Sequence, residues 1–238
     1  MVMQGLAKSR EQAGALLMSG KVFVNQKRVE KSGQQVSIDS KIDLKGKAHP
    51  WVSRGGIKLE KAILDFNLNC ESVTALDIGA STGGFTDVLL ANGADKVYAV
   101  DVGYGQLDWK LRQDTRVVVK EKTNARFLTN QIITDPLDVI VCDASFISLK
   151  KVLPSGLKLL KNNGWLAALI KPQFEVGKGL VGKGGVVRNS ELHKEVKNDI
   201  KNWLQFEMKM NLLGIVDSPI LGPSGNKEFI IVATKLLN

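Results

Sequence analysis

The segment from Leu76 to Thr86 constrains the fold of this chain more than any other part of the sequence. It joins an apolar stretch, typical of a buried strand, to a helical pattern through a loop with three glycines. A strand, a glycine-rich loop and a helix in this order are typical of open α/β sheets, where ligands bind beyond the carboxyl ends of the strands. The segment therefore predicts such a sheet, with a ligand site beside Asp77.

The composition of this loop favours a cationic cofactor over a dinucleotide. A dinucleotide site needs glycine at the third loop position, where this chain has Ser81, and Asp77 would repel a phosphate. The same carboxylate favours S-adenosylmethionine, whose amino group and sulfonium are both positive. The alternatives are a dinucleotide site or a structural glycine-rich turn. The predicted cofactor-binding residues of this segment are Asp77, Gly79, Ala80, Ser81, Gly83, Gly84 and Phe85.

Two further predicted strands end in carboxylates, Asp101 and Asp143. We expect Asp101 to hold the cofactor ribose and Asp143 to lie near the same site, because parallel strands end at one edge of a sheet. The alternative is that each acid only caps the helix that follows it. Strands are predicted near residues 73–78, 96–101, 117–119, 137–143, 164–170, 212–217 and 228–234. Their alternation with helices indicates an α/β, Rossmann-like methyltransferase fold of seven strands with a terminal antiparallel hairpin.

The positive charge of the chain is concentrated near its N-terminus. Residues 1–62 contain 12 Lys and Arg against 5 Asp and Glu, and so hold +7 of the net charge of +9. A basic region beside a nearly neutral one indicates a module that binds a polyanion. Ordinary solvated lysines are the alternative.

Several classes of protein are excluded by the sequence. No apolar run approaches the roughly 20 residues of a membrane span, and the N-terminus does not read as a signal peptide. Two cysteines, Cys70 and Cys142, are too few for a disulfide framework or a metal site. We therefore expect a cytoplasmic protein without a metal or a membrane partner.

The N-terminal region has a small α+β pattern of its own. A helix with Ala13, Leu16 and Leu17 on one face precedes Gly20, and short strands follow within residues 21–29, 35–38 and 41–44. The sequences at 9–13 and 19–25 resemble the small RNA-binding domain named after ribosomal protein S-four, here shortened at its start. The candidate RNA contacts are Lys8, Arg10, Lys21, Arg28 and Arg54.

Four charged residues further along the chain form a candidate catalytic set: Lys58, Asp143, Lys171 and Glu228. Methyl transfer from a sulfonium to a hydroxyl needs alignment of the oxygen and removal of its proton. A lysine accepts that proton only as the neutral amine, which burial and a second ammonium favour. The alternative is a pair of structural salt bridges.

In order and motif context, these four residues resemble the Lys-Asp-Lys-Glu tetrad of the FtsJ-type ribose 2′-O-methyltransferases. Together with the N-terminal module, the Trp51–Gly56 segment and the Lys171–Glu175 segment, nearly the whole chain resembles the TlyA family, known both as hemolysins and as ribosomal RNA cytidine-2′-O-methyltransferases. The resemblance implies catalytic roles for the tetrad, cofactor contacts for Asp143 and Asn124, and ribosomal RNA or ribosomal subunits as partners. It implies an RNA-binding domain over 1–46, a linker over 47–57 and a methyltransferase domain over 58–238.

Two other functions compete with this one. The first is a non-catalytic protein of RNA binding or ribosome assembly, against which the intact acids and tetrad argue. The second is a membrane-lytic hemolysin, for which the sequence offers no lytic amphipathic helix.

Overall fold

A computed structural model of the chain describes residues 1–7, 9–18, 20–29, 33–37, 39–44 and 49–236. The chain forms two compact units, Met1–Pro50 and Trp51–Asn238. Among the described residues, no helix is both long enough and apolar enough to cross a membrane.

The first unit consists of one helix and a small antiparallel sheet. Helix α1 covers Arg10–Met18, and strands β1 (Val22–Val24), β2 (Lys27–Arg28) and β3 (Ile42–Leu44) pair in the order β2-β1-β3. Asn25 and Gln26 connect β1 to β2 with φ of 47° and 66°, the left-handed backbone that two-residue hairpins favour. The helix and these three strands match the predicted pattern.

The predicted strand at residues 35–38 was wrong over the part that the structure describes. Residues 35–37 are not extended into any sheet, and residue 38 lies outside the described residues. Val36 is 42% exposed, and its neighbours are polar, so this segment has little apolar surface to bury against β1. A turn from Ser37 to Ser40 leads directly into β3.

The second unit contains the seven-stranded sheet that the sequence predicts. The strands are β4 (Thr74–Ile78), β5 (Lys96–Val100), β6 (Val117–Lys120), β7 (Leu137–Cys142), β8 (Leu160–Ile170), β9 (Met210–Asp217) and β10 (Phe229–Lys235). Their order is β6-β5-β4-β7-β8-β10-β9. The first five run parallel, and β10 is antiparallel to both of its neighbours. The α/β fold with a terminal antiparallel hairpin is confirmed.

Helices cover both faces of this sheet. They are α2 (Gly55–Phe66), α3 (Gly84–Ala91), α4 (Trp109–Arg112), α5 (Leu149–Val152), α6 (Pro154–Leu159), α7 (Pro172–Glu175) and α8 (Ser190–Asn202), which continues as a π-helical turn over Trp203–Glu207. Leu76 and Ile78 of β4 pack into one core layer, whereas Ala75 packs into the other. Because both faces are buried, the central strands read as continuous apolar runs.

Residues 51–57, which the sequence analysis placed in a linker, are part of the second unit. Trp51 is 9% exposed and packs against Gly56, where an added Cβ would lie 2.6 Å from Trp51 Cβ. The Val52 N–H donates to Asp87 Oδ2 at 2.8 Å. The burial of Trp51 fixes this segment to the sheet domain, so α2 begins inside the predicted linker.

Candidate active site

The predicted site residues meet at the edge where the parallel strands end. Asp77 lies in β4, while Asp101, Asp143 and Lys171 directly follow β5, β7 and β8. Gly79 has φ of +80°, and a Cβ there would lie 2.9 Å from the Ala144 backbone. Only glycine lets the loops after β4 and β7 approach this closely.

The four candidate catalytic side chains form one continuous chain of ion pairs. Lys58 Nζ lies 2.7 Å from Glu228 Oε2 and 3.2 Å from Asp143 Oδ2. Lys171 Nζ lies 2.6 Å from Asp143 Oδ1. Lys58, Lys171 and Glu228 are buried, at 6%, 5% and 2% exposure, so the pairs are shielded from solvent. Asp143 is the shared acceptor between the two lysines.

The electrostatics of the cluster hold Lys58 in its charged form. Burial alone lowers the pKa of Lys58, but the carboxylates of Asp143 and Glu228 outweigh it and hold the pKa above its ordinary value. Lys58 is therefore a fixed cation that neutralises two carboxylates. Glu228 can be buried here because Gly222 packs directly on its carboxylate, where a side chain would clash.

Two adjoining cavities open onto this cluster. The smaller, of about 250 Å³, is lined by Lys58, Asp143 and Lys171, together with Asp77. The larger, a cleft of about 1250 Å³, runs past Asp101 and Asn124. The residues that line both cavities are Gly79, Ser81, Asp143 and Ser145. A ligand that fills the cleft can therefore reach the tetrad.

Asp101 and Asn124 shape the wall of the larger cleft. Asp101 accepts the Ser81 N–H at 2.8 Å and the Gly103 N–H at 2.7 Å, which fixes the loops after β4 and β5. Asn124 accepts the Arg126 N–H at 3.1 Å and so caps the short helical turn that follows. Both side chains thus have a structural partner and also line the cleft.

Asp77 is fully buried, and its carboxylate has no cationic partner among the residues that the structure describes. Its Oδ2 accepts the Thr86 N–H at 3.0 Å and the Thr86 hydroxyl at 2.7 Å. Burial raises the pKa of Asp77 to about 7, although these hydrogen bonds oppose the shift. Within the described part of the chain, Asp77 Oδ1 has no hydrogen-bond partner. A buried carboxylate in this state is suited to a cationic ligand group.

Gly83 occupies the turn that precedes α3, next to the other predicted cofactor residues. It lines neither cavity. It has φ of +93° at the start of α3, and a Cβ there would lie 2.8 Å from Leu107 Cδ1. The side chains of Leu107 and Leu111 cover this position, so Gly83 serves the turn and the packing beneath it. By contrast, Ala80, Gly84 and Phe85 line the smaller cavity.

The segments after β7 and β8 hold residues near the site that were not predicted from the sequence. Ser145 Oγ lies 2.8 Å from Lys171 Nζ. Phe146 is 90% exposed with φ of +65°, and its ring lies 5.1 Å from that of Phe174. Glu175 Oε1 accepts the Leu149 N–H at 2.9 Å, and burial raises the pKa of Glu175. Their positions just after Asp143 and Lys171, at the strand ends, were the available signal.

The candidate RNA contacts are divided between the two units. Arg10 begins α1, Lys21 precedes β1, and Arg28 is exposed in β2 with its guanidinium against Gly20. Lys8 lies outside the described residues. Arg54 belongs to the second unit, lines the smaller cavity and donates to the Leu221 carbonyl at 3.0 Å.

Comparisons with known proteins agree with this architecture. The FtsJ-like methyltransferase family model matches residues 51–235, and the S4 domain model matches residues 1–42. The chain is therefore an FtsJ-like methyltransferase with an S4 domain.

Relatives that align over nearly the whole chain identify the family within this class of methyltransferases. The 16S/23S rRNA (cytidine-2′-O)-methyltransferase TlyA of Mycobacterium tuberculosis is 44% identical over 97% of this chain and 86% of its own length. Hemolysin A of Brachyspira hyodysenteriae is 41% identical over 95% of this chain and 94% of its own. A solved structure from Streptococcus thermophilus, named as a candidate hemolysin, has a TM-score of 0.79 and 43% identity, covering 98% of this chain and 86% of that one. The chain belongs to the TlyA family, which confirms the resemblance seen in the sequence.

Proposed function

We propose that this chain transfers a methyl group from S-adenosylmethionine to a ribose 2′-hydroxyl of ribosomal RNA, with cytidine as the modified nucleoside. The observation that carries the proposal is the buried Glu228–Lys58–Asp143–Lys171 chain at the junction of two cavities. The activity printed for the Mycobacterium tuberculosis relative is of this same kind.

The larger cleft suits the cofactor. Asp101 would take the ribose hydroxyls, and Asn124 would lie near the adenine. The unpaired oxygen of Asp77, a residue that lines the adjoining smaller cavity, suits the amino group. When bound there, S-adenosylmethionine supplies a methyl group already activated by its sulfonium. The protein then has only to align the accepting oxygen and remove its proton.

The tetrad provides this proton transfer. Lys171 lies at the wall of the smaller cavity, and as the neutral amine it takes the proton from the ribose hydroxyl. Asp143 orients that amine, and Lys58 compensates the charge of Asp143 while Glu228 holds Lys58 in place. The exposed ring of Phe146, next to this wall, offers a stacking surface for an unstacked base.

The first unit supplies RNA affinity rather than chemistry. Its S4 domain and its positive charge suit contacts with phosphates. The substrate is ribosomal RNA or a ribosomal subunit, and the cytoplasm is the compartment that this substrate implies. In this proposal, the RNA-binding domain covers residues 1–46 of the chain.

Cofactor titration and methyl transfer with purified protein test this proposal together. We expect calorimetry to give a micromolar-class dissociation constant for S-adenosylmethionine, weakened in Asp101→Ala. We expect radiolabelled methyl transfer to protein-free ribosomal RNA to fall about 10²–10⁴-fold in Lys171→Ala, the range of general base catalysis, while cofactor binding stays intact. A folded wild type that binds cofactor but methylates no RNA would instead support the non-catalytic assembly function.

A further inference from the structure

The amine of Lys171 is enclosed by three oxygen atoms. Asp143 Oδ1 lies 2.6 Å from Nζ, the Asp143 carbonyl lies 3.0 Å away, and Ser145 Oγ lies 2.8 Å away. An ammonium has three N–H donors and no acceptor, so these oxygens match its donors one for one. The side chain is also almost fully buried. All three N–H donors of the Lys171 ammonium are therefore occupied by oxygens of the protein.

Ser145 differs from the other two partners in its chemistry. A hydroxyl both donates and accepts, whereas a carbonyl and an ionised carboxylate only accept. Ser145 is also exposed, and it lines both the larger cleft and the smaller cavity. It is the one of these three oxygens that can pass a proton between a ligand in the cavities and Lys171.

The loop that carries Ser145 is held at several points. The Lys171 amine donates to the Asp143 carbonyl at its start, and Glu175 accepts the Leu149 N–H at its end. Between them, Phe146 has a φ of +65°, a left-handed backbone conformation that is unfavourable for a bulky side chain. Ser145 is therefore fixed relative to Lys171, as a proton relay requires.

We propose that Ser145 relays the proton of the ribose 2′-hydroxyl to Lys171, an inference that rests on the proposed function. The Lys171 ammonium first loses to solvent the proton that it shares with Ser145. The lone pair of the neutral amine then accepts the Ser145 O–H, and Ser145 Oγ in turn accepts the substrate O–H. As the substrate O–H bond breaks, a new bond to Oγ forms and the former Ser145 proton moves to Nζ. The freed electron pair of the ribose oxygen bonds the methyl carbon, and the methyl–sulfur pair stays on sulfur. Ser145 ends as a hydroxyl and Lys171 as an ammonium.

Single-turnover methylation of ribosomal RNA by Ser145→Ala and Ser145→Thr tests the relay. We expect Ser145→Ala to be about 10²-fold slower, near the lower end of general base effects, with an unchanged dissociation constant for S-adenosylmethionine. Ser145→Thr keeps the hydroxyl and should recover most of the rate. Ser190→Ala, an exposed serine at the start of α8 and outside both cavities, is the matched control.

A proton inventory of the wild type in mixed H₂O and D₂O adds a readout that does not depend on any variant. The relay moves two protons in one step. A plot of rate against the deuterium fraction of the solvent should therefore curve below the straight line that one transferred proton gives. A linear inventory, a Ser145→Ala rate within threefold of wild type, or equal loss in the Ala and Thr variants would overturn the relay. A wild type without any methyl transfer would instead overturn the proposed function.

Discussion

At the scale of single residues, the two most buried carboxylates of the site are stabilised in different ways. Glu228 pairs with a buried lysine at 2.7 Å. Asp77 receives only the two neutral hydrogen bonds of Thr86, which do not offset its burial, so its pKa is raised to about 7. Glu228 is thus neutralised within the protein, whereas Asp77 is suited to a ligand cation.

This difference predicts a pH-dependent cofactor affinity. Below about pH 7 Asp77 of the free protein holds a proton, which must be lost before the carboxylate pairs with a cationic amino group. We expect affinity for S-adenosylmethionine to fall up to tenfold per pH unit below 7. Asp77→Asn should bind more weakly and without this dependence. Calorimetry at pH 5.5, 6.5 and 8 checks it, and a wild-type affinity that does not change with pH would contradict it.

The same group also sets a stability trend for the cofactor-free protein. Because the folded-state pKa of Asp77 lies above its unfolded value of 3.8, the folded state binds the extra proton between about pH 4 and 7. The contribution of Asp77 to stability therefore decreases as pH rises through this window, by about 4 kcal/mol in all.

At the scale of elements, the position of Lys58 depends on how α2 crosses α3. The two helices meet at glycines, because a Cβ on Gly84 would lie 2.9 Å from the backbone nitrogen of Gly56 and would also clash with Ser53. Leu59 and Ala62 of α2 are buried against the sheet. The crossing therefore sets the distance from Lys58 to Asp143 and Glu228.

We expect Gly84→Ala to push these helices apart. Overpacking of this kind costs about 1–3 kcal/mol of unfolding free energy, and it should slow methyl transfer because Lys58 moves. Urea unfolding and the RNA methylation assay measure both effects. Gly179→Ala is the control, since a Cβ there meets nothing within 4 Å. Equal stability of the two variants would show that the crossing tolerates a methyl group.

The elements that the sequence predicted well are those whose signal is local. The five parallel strands are apolar runs that both faces of a sheet bury, and the acids at their ends follow directly. The prediction of a strand at 35–38 was wrong over residues 35–37. The alternating apolar and polar pattern there resembles a strand, but Val36 is exposed and has little apolar surface to pack against. Ser145 could not be assigned, because its position beside Lys171 depends on a residue distant in sequence. The packing of Leu107 over Gly83 is likewise a contact that local sequence does not show.

At the scale of the whole molecule, positive charge is densest in the first unit, whereas the candidate catalytic residues lie in the second. The first unit, residues 1–50, contains 9 Lys and Arg against 4 Asp and Glu, and so holds +5 of the net charge of +9 in about a fifth of the chain. Asp77, Asp101 and the tetrad belong to the second unit. RNA affinity and cofactor affinity should therefore respond to separate sets of mutations.

We expect RNA binding to weaken steeply with salt, and the triple variant Lys8→Ala, Arg10→Ala, Arg28→Ala to lower the salt slope by nearly one unit per lost phosphate contact. Its cofactor affinity should not change. Filter binding from about 50 to 300 mM salt, a range over which screening of exposed charges increases, measures the slope. A charge-matched variant at Lys158, Lys194 and Lys201 in the second unit is the control. If the triple variant kept the RNA affinity and the salt slope of the wild type, the RNA would instead be bound by Arg54 and its surroundings.

Nucleoside mass spectrometry of ribosomal RNA from cells with and without this gene is the most direct test of ribose methylation by this protein. We predict that 2′-O-methylcytidine is lost from at least one ribosomal RNA when the gene is deleted. Reverse-transcription stops at low nucleotide concentration should locate the missing methyl group. The wild-type gene should restore it, and a gene encoding Lys171→Ala should not. Identical nucleosides in both strains, or a lost methyl group that maps to a base, would contradict the account.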